Sequence, residues 1–152
     1  MSVLAIDPGT EHSAWVVLDD DGLPIEHARM ANVDLLGLLR RGWPGDAVVI
    51  ERLEGYGMAY VKDETWETAF WAGRFMEAAS PLPVHWLKRT AVKLHLLGNR
   101  RGKDSDVLAA LVERFGPKGT RAAPGPLYGV AGDIWAAVAV GVTWLDQQER
   151  EG

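Results

Sequence analysis

Three acidic residues stand where a carboxylate is costly: Asp7, Glu51 and Asp133. Asp7 ends the apolar run Val3–Asp7 (VLAID), Glu51 ends Asp46–Glu51 (DAVVIE), and Asp133 opens the very apolar stretch Asp133–Asp146. An acid at the end of a short buried strand sits at the rim of the core, where an unpaired carboxylate is expensive to desolvate. Several carboxylates on one rim repel each other, and a cation offsets that repulsion. Mg²⁺, or Mn²⁺ in its place, prefers such oxygen donors. Two such ions can activate water and stabilise a leaving 3′-oxygen in phosphodiester cleavage.

Each acid alone also has a structural reading, weakest for Glu51. Asp7-Pro8-Gly9 suits a turn, and Asp133 suits a helix cap. The residues before Glu51 leave no local task for an acid. It is the set, in order, on elements of the right kind, that favours a metal site.

Basic residues are concentrated downstream. Residues 1–87 carry 6 Lys and Arg against 14 Asp and Glu, whereas residues 88–152 carry 10 against 7, so the net charge of -5 hides a basic region. Lys88, Arg89, Lys93, Arg100, Arg101 and Lys103 fall together with no acid among them. A basic face on an acidic protein is compatible with phosphate contact, and equally with a solvated loop and helix face.

The elements that must position these residues follow from pattern. Val3–Asp7, Ser13–Leu18 and Leu23–Met30 read as a three-strand meander, with Asp19-Asp20-Asp21-Gly22 as a hairpin turn. Asn32 suits the cap of a helix over Val33–Arg41. Asp46–Glu51 is too short and β-branched for a helix and reads as a buried strand. A helix over Asp63–Ala79 carries Trp66, Ala69, Phe70, Gly73 and Met76 at helical spacing and ends at Pro81 and Pro83. Val84–Leu87 is a fifth strand, followed by helices over Thr90–Leu97, Asp104–Phe115 and Asp133–Asp146. Gly98–Lys103 is a basic loop, and Arg121–Tyr128 an extended or mobile one. The fold class is α/β: a five-stranded mixed sheet, meander first and parallel crossover strands second, flanked by helices. Trp71 widens the apolar surface of the Asp63–Ala79 helix beyond one stripe. With the small residues Ala69, Ala72 and Gly73 beside it, this helix reads as an interface to a second copy; burial under the C-terminal segment is the alternative.

Composition bounds the rest. A chain of 152 residues suits one domain, 1–152, with core enough to fold without staples. There are no cysteines, hence no disulfide or thiolate metal site. No apolar run spans a membrane and the N-terminus does not read as a signal peptide, so a cytoplasmic location is expected. Nothing calls for a small-molecule cofactor. Asn and Gln number two each (Asn32, Asn99, Gln147, Gln148), which hints at a thermophilic source or a biased genome.

With these residues in place, the chain resembles the RuvC-type Holliday junction resolvases of the ribonuclease-H-like superfamily. Leu4-Ala-Ile-Asp7-Pro-Gly-Thr10 followed by Trp15-Val-Val-Leu18 is similar to their opening, and Val48-Val-Ile-Glu51 to their second acidic strand. Trp71-Ala-Gly-Arg74, then Thr90-Ala-Val-Lys93, Gly98 and Lys103-Asp-Ser-Asp-Val107, then Asp133-Ile-Trp-Ala-Ala, follow in the family's order. The compact length and the last motif look most like phage-borne members. The resemblance implies a ribonuclease-H-like fold and a homodimeric, divalent-metal-dependent endonuclease that cuts two symmetrical strands of a four-way DNA junction. It implies Asp7, Glu51 and Asp133 as metal ligands, with Mg²⁺ in two copies at turnover, and Lys93 and Lys103 as groups handling phosphate near the cut. Lys88, Arg89, Arg100 and Arg101 would extend the DNA face. Tyr56, Met58 and Tyr60 are candidates for a wedge at the branch point; a surface loop packing on its own helix is the other reading of these three. The family's second acid on the last helix is missing: Ala136 stands in its place. Asp104 and Asp106 are remote substitutes.

Four other functions fit parts of the pattern. A broader branched-DNA nuclease or a YqgF-type RNA-processing nuclease would share the fold. Asp7-Pro8-Gly9-Thr10 also resembles the first phosphate loop of actin-like and sugar-kinase ATPases, which need a second such domain. A binding module without catalysis is favoured by the missing acid alone.

Overall fold

The computed structural model describes residues 1–54 and 61–152. The wedge candidates Tyr56, Met58 and Tyr60 lie outside the described residues. The sheet contains β1 (Val3–Asp7), β2 (His12–Leu18), β3 (Pro24–Ala31), β4 (Ala47–Arg52) and β5 (Val84–Lys88), in the order β3-β2-β1-β4-β5. The first three strands pair antiparallel; β4 joins β1, and β5 joins β4, in parallel. β1 is therefore central and β4 lies next to it, as the two acid-ended apolar runs require. Parallel pairing forces long crossovers, and helices supply them.

Helices cover both faces. α1 (Asn32–Arg40) and α2 (Asp63–Ala79) lie on one side, and α3 (Arg89–Leu97), α4 (Asp104–Phe115) and α5 (Ile134–Glu151) on the other. The period-two alternation of the strands decides which residue meets which layer. Leu4, Ile6, Val48 and Ile50 pack with Leu35, Leu39, Ala72 and Phe75 of α1 and α2. Val3, Ala5 and Val49 pack with Ala137, Val138 and Val142 of α5. Asp7 and Glu51 continue the second series, so both project toward α5. Gly141 lets α5 approach the sheet: a Cβ there would lie 2.8 Å from the Leu18 side chain and 3.0 Å from Ala5 Cβ. Among the described residues, no helix is long and apolar enough to cross a membrane.

Three local expectations change. Asn32 is not a cap: α1 begins at Asn32 itself, with Ala31 before it and no side-chain cap bond. The Arg121–Tyr128 loop is tied down rather than loose, through a bridge between Gly119 and Pro124 and a fully buried Leu127. The residues of α2 that pack inward are Thr68, Ala72, Phe75 and Ala79, whereas Trp66, Ala69, Phe70, Gly73 and Met76 face outward. Burial of α2 under the C-terminal segment is thereby excluded.

Candidate active site

Asp7 and Glu51 are brought together by sheet register. Ile6 is paired with Ile50 across the parallel β1–β4 ladder, so the next residue on each strand is an acid, on the same face. Glu51 is 7% exposed. The Glu51 carboxyl lies close enough to act on that of Asp7. Burial and then the adjacent Glu51 carboxyl push the Asp7 pKa up to about 9; the charge of Asp133 acts in the same direction and Arg89 opposes. Adjacent buried carboxylates are unstable without a positive charge, which is the donor chemistry a hard cation fits.

The segment that follows Asp7 is held from behind. Asn32, 1% exposed, donates from Nδ2 to the Gly9 carbonyl at 2.9 Å and accepts from Ser13 Oγ at 2.6 Å. Ser13 Oγ in turn accepts from the Gly9 N–H at 3.1 Å. Gly9 has no room for a side chain, because a Cβ would lie 2.2 Å from the His12 carbonyl oxygen. The segment that follows Asp7 is thus braced by Ser13 and Asn32. The buried Asn32 was visible in the sequence, but its apparent capping role concealed its reach across the sheet.

Arg89 faces the pair from the start of α3. Its Nε lies 2.8 Å from Glu51 Oε1, its Nη2 3.5 Å from Glu51 Oε2, and its Nη1 2.9 Å from Asp104 Oδ1. Burial works against the guanidinium charge, but Glu51 and Asp104 outweigh it and raise the Arg89 pKa. Lys93 Nζ, one turn along, lies 3.6 Å from the same Asp104 oxygen. Glu54, not anticipated from sequence, accepts from Thr90 N at 3.1 Å and Thr90 Oγ1 at 2.7 Å, joining the segment after β4 to the first turn of α3.

Asp133 stands at the other wall. It occupies the N-cap position of α5 yet makes no capping hydrogen bond, so the cap reading fails. Its carboxylate is 64% exposed and lies 3.5 Å from Arg29 Nε. A cleft of about 100 Å³ is lined by Glu51, Arg89, Lys93, Asp104, Asp133 and Ala136, among others. Ala136 therefore faces the cleft, where the resemblance expects an acid. Trp135, also on the cleft and missed in the sequence, has Lys118 Nζ 6.0 Å from its ring centroid. No group of three acidic or histidine side chains is gathered as a metal cage among the described residues. The structure joins Asp7 to Glu51 and sets Asp133 apart, beside Arg29. Asp106 accepts from Lys103 N at 2.8 Å and closes the start of α4, so it is not a substitute ligand. Lys88, Arg100, Arg101 and Lys103 are exposed.

No protein-family model matches the chain, and no curated protein matches it in sequence. The fold, by contrast, has solved counterparts. Thermus thermophilus RuvC superposes with a TM-score of 0.75 at 19% identity, over 99% of this chain and 97% of that one. T. thermophilus RuvC in complex with a Holliday junction substrate gives a TM-score of 0.75 at 21% identity, over 99% and 96%. The chain has the RuvC fold, a ribonuclease-H-like α/β fold, over nearly its whole length.

Proposed function

We propose that this chain is a RuvC-type resolvase: a divalent-metal-dependent endonuclease that cuts four-way DNA junctions by paired symmetrical phosphodiester cleavage. The observation that carries the reading is the Asp7–Glu51 pair at the ends of the two central parallel strands, in a fold shared with RuvC. The neighbour solved with a Holliday junction substrate supports the substrate class.

Asp7 and Glu51 are oxygen donors suited to Mg²⁺, with Mn²⁺ as a substitute. Mg²⁺ is commonly held by one or two carboxylates, with substrate phosphate and water completing its coordination. Two acids side by side therefore meet the requirement even though Asp133 is turned toward Arg29. Asp133 serves as the third donor, from across the cleft, and Ala136 leaves that wall one acid short. When bound, the metal supplies Lewis acidity and an activated water at neutral pH. Lys93 places positive charge on the cleft wall for the scissile phosphate. Lys103, Lys88, Arg89, Arg100 and Arg101 form the basic face that meets the DNA backbone, a contact that weakens with salt. Tyr56, Met58 and Tyr60 are the candidates for the wedge.

The active assembly is a homodimer. A C2 dimer presents two equivalent sites to two equivalent strands. Supporting this is the outward stripe of α2, where Trp66 is 54% and Phe70 67% exposed beside Ala69 and Gly73. Large apolar groups aligned on a surface helix mark a contact face.

The test is direct. The protein is incubated with a synthetic four-way junction, a linear duplex and an RNA–DNA hybrid, each with Mg²⁺ or with chelator. Paired symmetrical nicks on the junction, abolished by chelator and by Asp7→Asn, are expected. Cleavage of the RNA strand instead would move the chain to RNA processing. Junction binding without cutting in either metal would make it a binding module.

A further inference from the structure

Arg89 is held in an electrostatically unfavourable place. It lies in the first turn of α3, directly after Lys88, and a helix N-terminus is the positive end of its dipole. Two cations there need compensation, and Arg89 receives it from both sides: Nε and Nη2 reach Glu51, and Nη1 reaches Asp104. The two acids differ sharply in setting. The Glu51 side chain is 9% exposed and the Asp104 side chain 77%. Lys93 gathers on the same Asp104 oxygen, which makes Asp104 the outer anchor of both cations.

The arginine thus covers a carboxylate that the proposed metal site requires. Glu51 Oε1 cannot face both Arg89 Nε at 2.8 Å and a divalent ion at bonding distance without bringing two positive charges into close contact. We propose that Arg89 is the exchangeable counter-cation of Glu51: it holds the carboxylate until a divalent ion arrives, then pivots about its Asp104 contact and turns its freed fork to a DNA phosphate. This rests on the reading of Asp7 and Glu51 as metal donors. The chemistry of the guanidinium suits both duties, because its planar fork matches carboxylate and phosphate alike. Asp104 then has a task no sequence pattern assigns it. It gives Arg89 a second acceptor and so lowers the cost of leaving Glu51.

The experiment measures Mn²⁺ binding to the full chain without DNA, by calorimetry and by the EPR signal of free Mn²⁺. Wild type is compared with Arg89→Ala, Asp104→Asn and the double variant. Removing the competitor should tighten Mn²⁺ binding about tenfold, an amount well within a close charge–charge interaction. Asp104→Asn should weaken binding several-fold, and that effect should vanish in the Arg89→Ala background, since Asp104 acts through Arg89. Arg89→Gln, which keeps length and hydrogen bonding, replaces Arg89→Ala if the latter fails to fold. Unchanged or weaker Mn²⁺ binding in the folded Arg89 variants overturns the exchange and leaves the metal site standing. An Asp104→Asn effect of equal size in both backgrounds also overturns it, as that is the mark of a general charge effect. Absence of Mn²⁺ uptake by wild type overturns the metal site and the exchange together.

Discussion

Asp7 and Glu51 are neighbours one step beyond the Ile6–Ile50 pair, and burial, together with the adjacent Glu51 carboxyl, holds the Asp7 pKa well above the usual carboxylate range. The metal-free protein carries that strain in its centre. A divalent ion held by these two carboxylates would offset it with positive charge.

This predicts an inverted pH dependence for the metal-free fold. The unfolded chain releases the Asp7 proton near the ordinary value of 3.8, while the folded chain keeps it up to about 9. Between those values the folded state binds more protons, so this group's contribution to stability falls as pH rises. Asp7→Asn removes the titration and keeps the shape. In chelator, its stability advantage over wild type should grow by roughly 1 kcal/mol per pH unit between about pH 5 and about pH 8. Urea denaturation across that range checks it; parallel pH profiles for the two proteins would show that Asp7 titrates normally.

The clamp behind Asp7 should matter for both stability and turnover. Asn32→Ala leaves the Ser13 hydroxyl and the Gly9 carbonyl without their buried partner. The expected cost is about 1–3 kcal/mol. Because the segment after Asp7 loses its brace, single-turnover cleavage should fall more than junction affinity. Equal losses in both would place Asn32 in general folding rather than in setting Asp7.

Much of this arrangement was legible in the sequence because its signals are local. The runs VLAID and AVVIE announce buried strands, and alternation along them already puts each acid on one face. The bounds Asp63–Ala79 and Asp104–Phe115 are met because Pro81 and Gly116-Pro117 interrupt the chain. What escaped depends on contacts between distant segments. Arg89 meets Glu51 because β5 lies beside β4 with Glu51 opposite Leu87, a register that Arg89 itself does not encode. Asn32 looked like a cap because capping is its commonest local use. The α2 stripe was recognised as apolar, but which side faced the sheet was settled by Ala72, Phe75 and Ala79, smaller in number yet better matched to the core.

The outward α2 face gives a prediction on assembly. Phe70 makes no part of the core, so Phe70→Glu should leave the thermal midpoint of the protomer nearly unchanged. At the proposed two-fold contact the same charge would appear twice and repel itself. Sedimentation should show the proposed dimer for wild type and monomer for the variant, with paired nicking lost. A Phe70→Glu protein that remains a dimer would move the interface away from α2.

A last prediction concerns how the C-terminal layer is fixed to the cleft wall. Asp146 of α5 accepts Arg114 Nη1 and Nη2 from α4, each at 2.7 Å, and lies 2.7 Å from His95 Nε2 of α3. Burial raises the Asp146 carboxyl pKa, but the hydrogen bonds from Arg114 and His95 outweigh it and lower it below the usual range. A depressed carboxylate stabilises the fold above its unfolded pKa, near 3.8, and loses that contribution as pH falls through the folded value. A charged bidentate contact of this kind contributes up to about 3 kcal/mol when shielded. The Arg114 side chain is 40% exposed, so solvent screening reduces the expected loss in Asp146→Asn to about 1–2 kcal/mol. Denaturation midpoints should separate wild type from Asp146→Asn at neutral pH and converge in acid. If the gap persists unchanged below the carboxylate range, the bridge contributes by packing and not by charge.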